Sequence, residues 1–247
     1  MKIKPNTFYC FSPQVMLLTF IVEVGMLVYV LLFRKMSIVT RLGAALLFCL
    51  ALFQLAEYGI CEDFGPSSKA WSSIGFVSIT ALPAFGLHLT YALGKRRFDA
   101  VLALSYLAMM VWAGLFIFGD IVTSNECGGN YLIFNLRDNF GSLYPAYYYV
   151  LLLMGTVSAW LLSRKTKKGR VRNALYSVIV GYLVFLLPTA VLTSIFKETA
   201  RGIPSIMCGF AVFFAAIIIF YTLPKAESSK TKSEHDESRN SGRRGKA

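Results

Sequence analysis

Apolar residues along the 247-residue chain gather into seven long blocks, and the polar residues fall mostly in the short turns between them. A helix crosses a hydrocarbon core about 30 Å thick in about 20 residues. The blocks predict spans at residues 15–33, 42–60, 70–93, 101–118, 144–162, 175–196 and 203–223. Gly and Pro break the chain after the second span, in CEDFGPSSK. Pro83 falls inside the third span and should kink it, and Pro188 lies inside the sixth. Between the fourth and fifth spans the pattern changes. Residues 120–143 hold GGN and DNFG turn signals around YLIFNLR, whose alternation predicts a small β-hairpin lying over the mouth of the bundle.

Hydrophobic residues make up 56% of the chain and charged residues 15%, against about a quarter charged in ordinary soluble domains. The expected fold is therefore all-α, a polytopic membrane bundle of seven helices. It divides into a lead (residues 1–14), the transmembrane domain (15–224) and a polar tail (225–247) that lacks aromatics and should be disordered. Lys2 and Lys4 before an apolar run also suit a signal peptide, but the run is too long and lacks a small-residue cleavage site.

The formal charge of +12 changes the picture only through its distribution. Of the 25 Lys and Arg, 19 lie in the tail and in the turns after the first, third and fifth spans. The positive-inside rule then predicts an extracytoplasmic amino terminus, a cytosolic carboxyl terminus and an extracytoplasmic hairpin. The localisation expected is a bacterial cytoplasmic membrane, with the lipid bilayer as first partner. Basic turns facing anionic lipid account for the charge without nucleic acid.

Cys10, Cys61 and Cys127 fall on the predicted oxidising side, so one disulfide is expected there. Cys61 with Cys127 would pin the hairpin to the end of the second span. Cys10 is the rival partner for either, since spacing alone does not fix connectivity. All three as reduced, small apolar side chains is the plainer alternative. No CxxC is present, and no metal site or cofactor is indicated.

The second span carries ALFQLAEYGIC, in which Gln54, Glu57 and Tyr58 share one helical face. A carboxylate at bilayer depth costs roughly 2.5 to 3.5 kcal/mol on insertion scales, so such groups face an interior, a cavity or a partner. Counting back from Cys61 at 1.5 Å per residue puts Glu57 about 6 Å and Gln54 about 10 Å below the outer boundary. These three are the leading ligand-binding candidates; the bland alternative has Glu57 snorkelling or capping loop amides.

Glu23, near the midplane, joins them as a candidate, against the plain reading of a protonated carboxyl bonded to a neighbouring helix. If both carboxylates line one cavity, they form a proton or cation path. His88 is a weaker candidate, because a lone membrane histidine is more often a packing residue. It lies roughly 14 Å from Glu57 in depth, too far for an acid–base pair. Tyr147, Tyr148 and Tyr149 suit an interfacial aromatic belt.

Exclusions narrow function further. The seventh span has no lysine for a retinal Schiff base, and the single intramembrane histidine is too few for a zinc amidohydrolase. GxSxG, HExxH and phosphate-binding glycine loops are absent. Cys10 and Glu57 could meet at the outer mouth, but no acid, base and nucleophile assemble, so no catalytic residue is named.

The CFSP lead at Cys10, the basic turn and FQLAEYGIC together resemble an uncharacterised family of bacterial membrane proteins with a Cys-Phe-Ser lead and a Gln/Glu pair in the second span. That resemblance covers the first quarter of the chain and draws attention to Cys10, Gln54 and Glu57. Trp71 and Pro83 in the third span, with the stretch from Gly202 through Leu223, resemble the seven-helix sensor region of bacterial histidine kinases. This sequence departs from that pattern in carrying no kinase, so a signal would pass to a separate cytosolic or membrane partner.

The leading expectation is a receptor-like protein that takes a small lipophilic ligand in an outward-facing pocket near Gln54, Glu57 and the hairpin. Two others stand beside it: a proton-coupled transporter using Glu23 and Glu57, which the lack of a visible repeat disfavours, and a structural subunit of a larger membrane complex.

Overall fold

The computed structural model describes residues 12–127, 132–137, 140–167, 169–195 and 202–226. Seven helices are each long and apolar enough to cross a membrane. In chain order they are α1 (Pro13–Phe33), α2 (Ile38–Cys61), α3 (Ser68–Leu93), α4 (Ala100–Phe118), α5 (Phe140–Lys165), α6 (Gly169–Ile195) and α7 (Ile203–Ile217). A π-helical turn, Ile218–Thr222, continues α7. Strands β1 (Val122–Cys127) and β2 (Leu132–Leu136) stand between α4 and α5 and pair antiparallel.

Helix starts follow capping chemistry. Ser37, Ser67 and Asp99 each accept a hydrogen bond from the backbone N–H three residues on, satisfying a donor that the helix leaves open. Several helices outrun their predicted spans: α5 begins at Phe140 rather than 144, and α6 at Gly169 rather than 175. A hydropathy window stops where residues turn polar, but a helix does not. The expected end of the sixth span, at residue 196, and Cys10 lie outside the described residues.

The central pair is α2 and α3, the most deeply buried helices. Around it, α1 and α7 lie against α2, α4 and α5 against α3, and α6 against α5 and α7. Lipid is as apolar as leucine, so packing and polar contacts must hold such helices together. Close approach is made at glycines: a methyl group on Gly59 would lie 2.5 Å from the Trp71 ring. That ring is fixed in turn, its indole N–H donating to the Phe64 carbonyl at 2.6 Å. Polar ties cross the bundle as well. The Thr80 hydroxyl meets Tyr144 at 3.1 Å, Tyr147 donates to the Thr80 carbonyl at 2.8 Å, and Ser177 pairs with Thr222 at 2.8 Å.

The three successive tyrosines of α5 differ in burial. Tyr147 and Tyr148 are half-buried and pack with the buried Tyr144, while Tyr149 alone is exposed. A run of three tyrosines turns its rings about 100° apart on a helix, so one lipid-facing ring leaves the others to the interior.

The hairpin sits where α2 ends and α3 begins. Period-two alternation sends Leu132 and Phe134 inward, both buried, with Phe134 against Phe53 and Phe76. Cys127 is disulfide-bonded to Cys61, their Cα atoms 5.6 Å apart. Asn125 bonds Ser68 and Ser72 at the start of α3. The hairpin is thus tied to α2 covalently and to α3 by hydrogen bonds.

Candidate functional site

Glu23 and Glu57 are both buried, at 0% and 1% exposure, and lie close enough to interact electrostatically across the α1–α2 seam. Depth counting sets one near the midplane and the other near the outer boundary, and the sequence leaves open whether they share one cavity. The arrangement follows from burial on one face: Glu23 shares the buried stripe of α1 with Met16, Met26 and Val30. Gln54 is buried one turn from Glu57 on α2. Tyr58, the third residue of the predicted face, is only half-buried.

Helix α7 closes the site from the other side. Its first turn brings Ser205, at 1% exposure, against the Glu57 carboxyl. Ser205 Oγ also accepts the backbone N–H of Leu132 at 3.4 Å, so the hairpin reaches the same cluster. One turn further, Cys208 is buried beside both carboxyls as a free thiol. Pattern reading missed Ser205 and Cys208, although two small polar side chains three apart in an apolar run mark an inward-facing stripe.

The carboxyls are not satisfied. Glu23 Oε1 and Oε2 and Glu57 Oε1 are buried without a hydrogen-bond partner. A buried polar atom left unpaired costs about 1–3 kcal/mol, so three such oxygens together are a concentrated expense. No cation offsets them from the same helices. The basic residues on α2 and on the α7 continuation, Arg41 and Lys225, lie toward the opposite end of the bundle. Among the described residues, no group of three or more His, Cys, Asp or Glu could hold a metal ion.

Cys208 belongs to a second feature, a small cavity between α2, α3, α5, α6 and α7 of about 20 Å³. Its lining includes Leu46, Leu50, Tyr148, Tyr182 and Met207 and is almost wholly apolar. A space of that size holds about one water. Leu50 and Leu46 precede Glu57 on α2 by seven and eleven residues, about 10 Å and 16 Å along the helix. Tyr182 stacks on Phe214 and seats its hydroxyl between Gly86 and Gly155, where no hydrogen-bond partner meets it.

His88 stands apart. Its Nδ1 pairs with the Tyr106 hydroxyl at 2.8 Å, and Phe98 meets the ring edge-on, all on the α3–α4 side. The predicted site residues therefore separate into a group around the carboxyls, Glu23, Gln54 and Glu57, with Tyr58 at its edge, and His88 in an aromatic cluster of its own.

No protein-family model and no curated protein matches the chain.

Proposed function

We propose that the chain is a receptor-like membrane protein that binds a small lipophilic ligand in the slot beneath Glu57 and Glu23. One observation carries this reading: three buried carboxyl oxygens lack partners, and Cys208, within electrostatic reach of both carboxyls, also lines an apolar cavity. Buried polar groups without partners lose stability, and a site that tolerates them is one that a ligand completes. The closed slot holds one water, so a ligand must part the helices around it. Coupling occupancy to helix displacement is the property a receptor needs.

The hairpin end is taken as extracytoplasmic and the membrane as a bacterial cytoplasmic one. The disulfide at that end supports this, as does charge. Among the described residues the hairpin end carries Lys69 and Arg137, while Arg34, Lys35, Arg41, Lys95, Arg96, Arg97 and the basic residues from Arg164 to Arg172 gather at the other. The hairpin then lids an outward-facing site. A signal would leave through a separate partner at the basic face.

The test is ligand retention. Protein purified in mild detergent is surveyed by native mass spectrometry for a stoichiometric small molecule, alongside Glu57→Gln. The expected result is a lipophilic molecule bound by the wild type and lost from a folded variant; equal retention by both would remove Glu57 from the site. The electrostatic proximity of Glu23 and Glu57 also favours proton-coupled transport. That reading calls for pH-dependent flux in proteoliposomes abolished by either Glu→Gln change.

A further inference from the structure

We propose that the ligand head the site selects is a primary ammonium held between Glu23 and Glu57, on a slender apolar body lying along Leu50 and Leu46; this rests on the ligand-binding reading above.

Donor count and charge both select this head. The site offers three open acceptors, Glu23 Oε1, Glu23 Oε2 and Glu57 Oε1. A primary ammonium supplies three N–H donors from one compact centre and no acceptor. A hydroxyl supplies one donor and leaves two oxygens orphaned. A guanidinium supplies five, in a rigid planar fork with no place for the surplus. A carboxylate brings negative charge and no donor to a site that already holds two acidic groups.

Charge selects in the same direction. A cation between two carboxyls makes charge-assisted hydrogen bonds, roughly twice as strong as neutral ones. The described parts of α1, α2 and α7 place no Lys, Arg or His beside the pair to compete. The wall opposite the head, Ser205 and Cys208, is small and uncharged, so nothing repels a cation entering there.

The body is constrained by the slot. From Glu57 to Leu50 is seven residues, about 10 Å along α2. A straight alkyl chain of eight carbons is of matching length and would enter as the helices part, with Met207, an unbranched side chain lining the slot, adapting to it.

The experiment uses the full chain in nanodiscs of a neutral phosphatidylcholine, with n-octylamine, n-octanol and octanoate titrated at pH 7 and binding to empty nanodiscs subtracted. The expected result is saturable octylamine binding near one per chain, at least tenfold tighter than octanol, with no saturable octanoate. Glu23→Gln and Glu57→Gln should each weaken octylamine at least tenfold and bring it level with octanol. Saturable octanol as tight as octylamine would overturn the ammonium head while leaving the apolar slot standing. Saturable binding of none of the three would overturn the slot reading together with the head. The wild-type ranking needs no variant, so a carboxyl substitution that fails to fold does not protect the proposal.

Discussion

If Glu23 is kept for a ligand, removing it should stabilise the empty protein, and Glu23→Leu is the substitution that separates this from a structural role. The side chain is fully buried and neither carboxyl oxygen has a hydrogen-bond partner. Leucine keeps an apolar side chain of similar bulk against the buried stripe of α1 and brings no polar atom. An unsatisfied buried polar group costs about 1–3 kcal/mol, so its removal should return a gain of that order. At about 2–4 °C per kcal/mol for a chain of this size, the midpoint should rise by several degrees. Glu23→Gln, which keeps the polar head, should move it far less.

The assay is unfolding in mixed dodecyl sulfate and dodecyl maltoside micelles, followed by circular dichroism with octylamine binding measured in parallel. A more stable protein that no longer binds is the signature of a functional group held at a stability cost. A loss of about 3–5 kcal/mol would refute the reasoning, because that is the cost of breaking a buried pair and orphaning its partner.

Gly59→Ala should drive a methyl group into the Trp71 ring, costing about 1–3 kcal/mol, and shift Trp71 emission in a Trp112→Phe, Trp160→Phe background; an unmoved spectrum and midpoint would mean the helices are not this close. Cys61→Ser, Cys127→Ser and the double variant should be equally destabilised, since each removes the same bond; the chain-entropy ceiling for a separation of 66 residues is about 4 kcal/mol, and unequal losses measured by the same unfolding assay would deny the pairing. The hydrogen bond from Lys69, with the lysine's charge, holds the Asp120 carboxyl below its usual range. Its contribution is therefore full above the unfolded value of about 3.9 and lost as pH falls through the lower folded one. Between pH 5 and pH 3 the wild-type midpoint should fall more than that of Asp120→Asn.

The seven helices were legible because a bilayer leaves so plain a mark: blocks of apolar residues punctuated by basic turns. The hairpin was legible for a similar reason, since LIFNL alternates and the strands pair across residues 122–136. Helix ends were less so. Phe140 to Leu143 and Gly169 to Ala174 are helical without being continuously apolar, and only the hydrogen-bond ladder reveals them. The Cys61–Cys127 bond was one of several open pairings, and the fold selects it by bringing β1 to the end of α2. What the sequence hid was rotation. Nothing in YYY says which ring faces lipid, and nothing in a list of spans says that Glu23 turns toward Glu57.

That hidden rotation explains why the site lies where it does. Glu23 and Glu57 are on consecutive helices, but two facing carboxyls would be expelled from the seam if either helix could turn freely. Helix α2 cannot turn, because Cys61 is bonded to the hairpin and Gly59 is locked against Trp71. The first turn of α7 is held as well, through Ser205 and the Leu132 amide of that hairpin. The small β element fixes two of the three walls around the carboxyls and leaves α1 the least constrained. On the proposed reading, a ligand bridging Glu23 to Glu57 would draw α1 toward a rigid frame, and Arg34 and Lys35 at the far end of α1 would carry that displacement to the basic face. The cost of burying unpaired acids and the proposed path of a signal would thus belong to one arrangement.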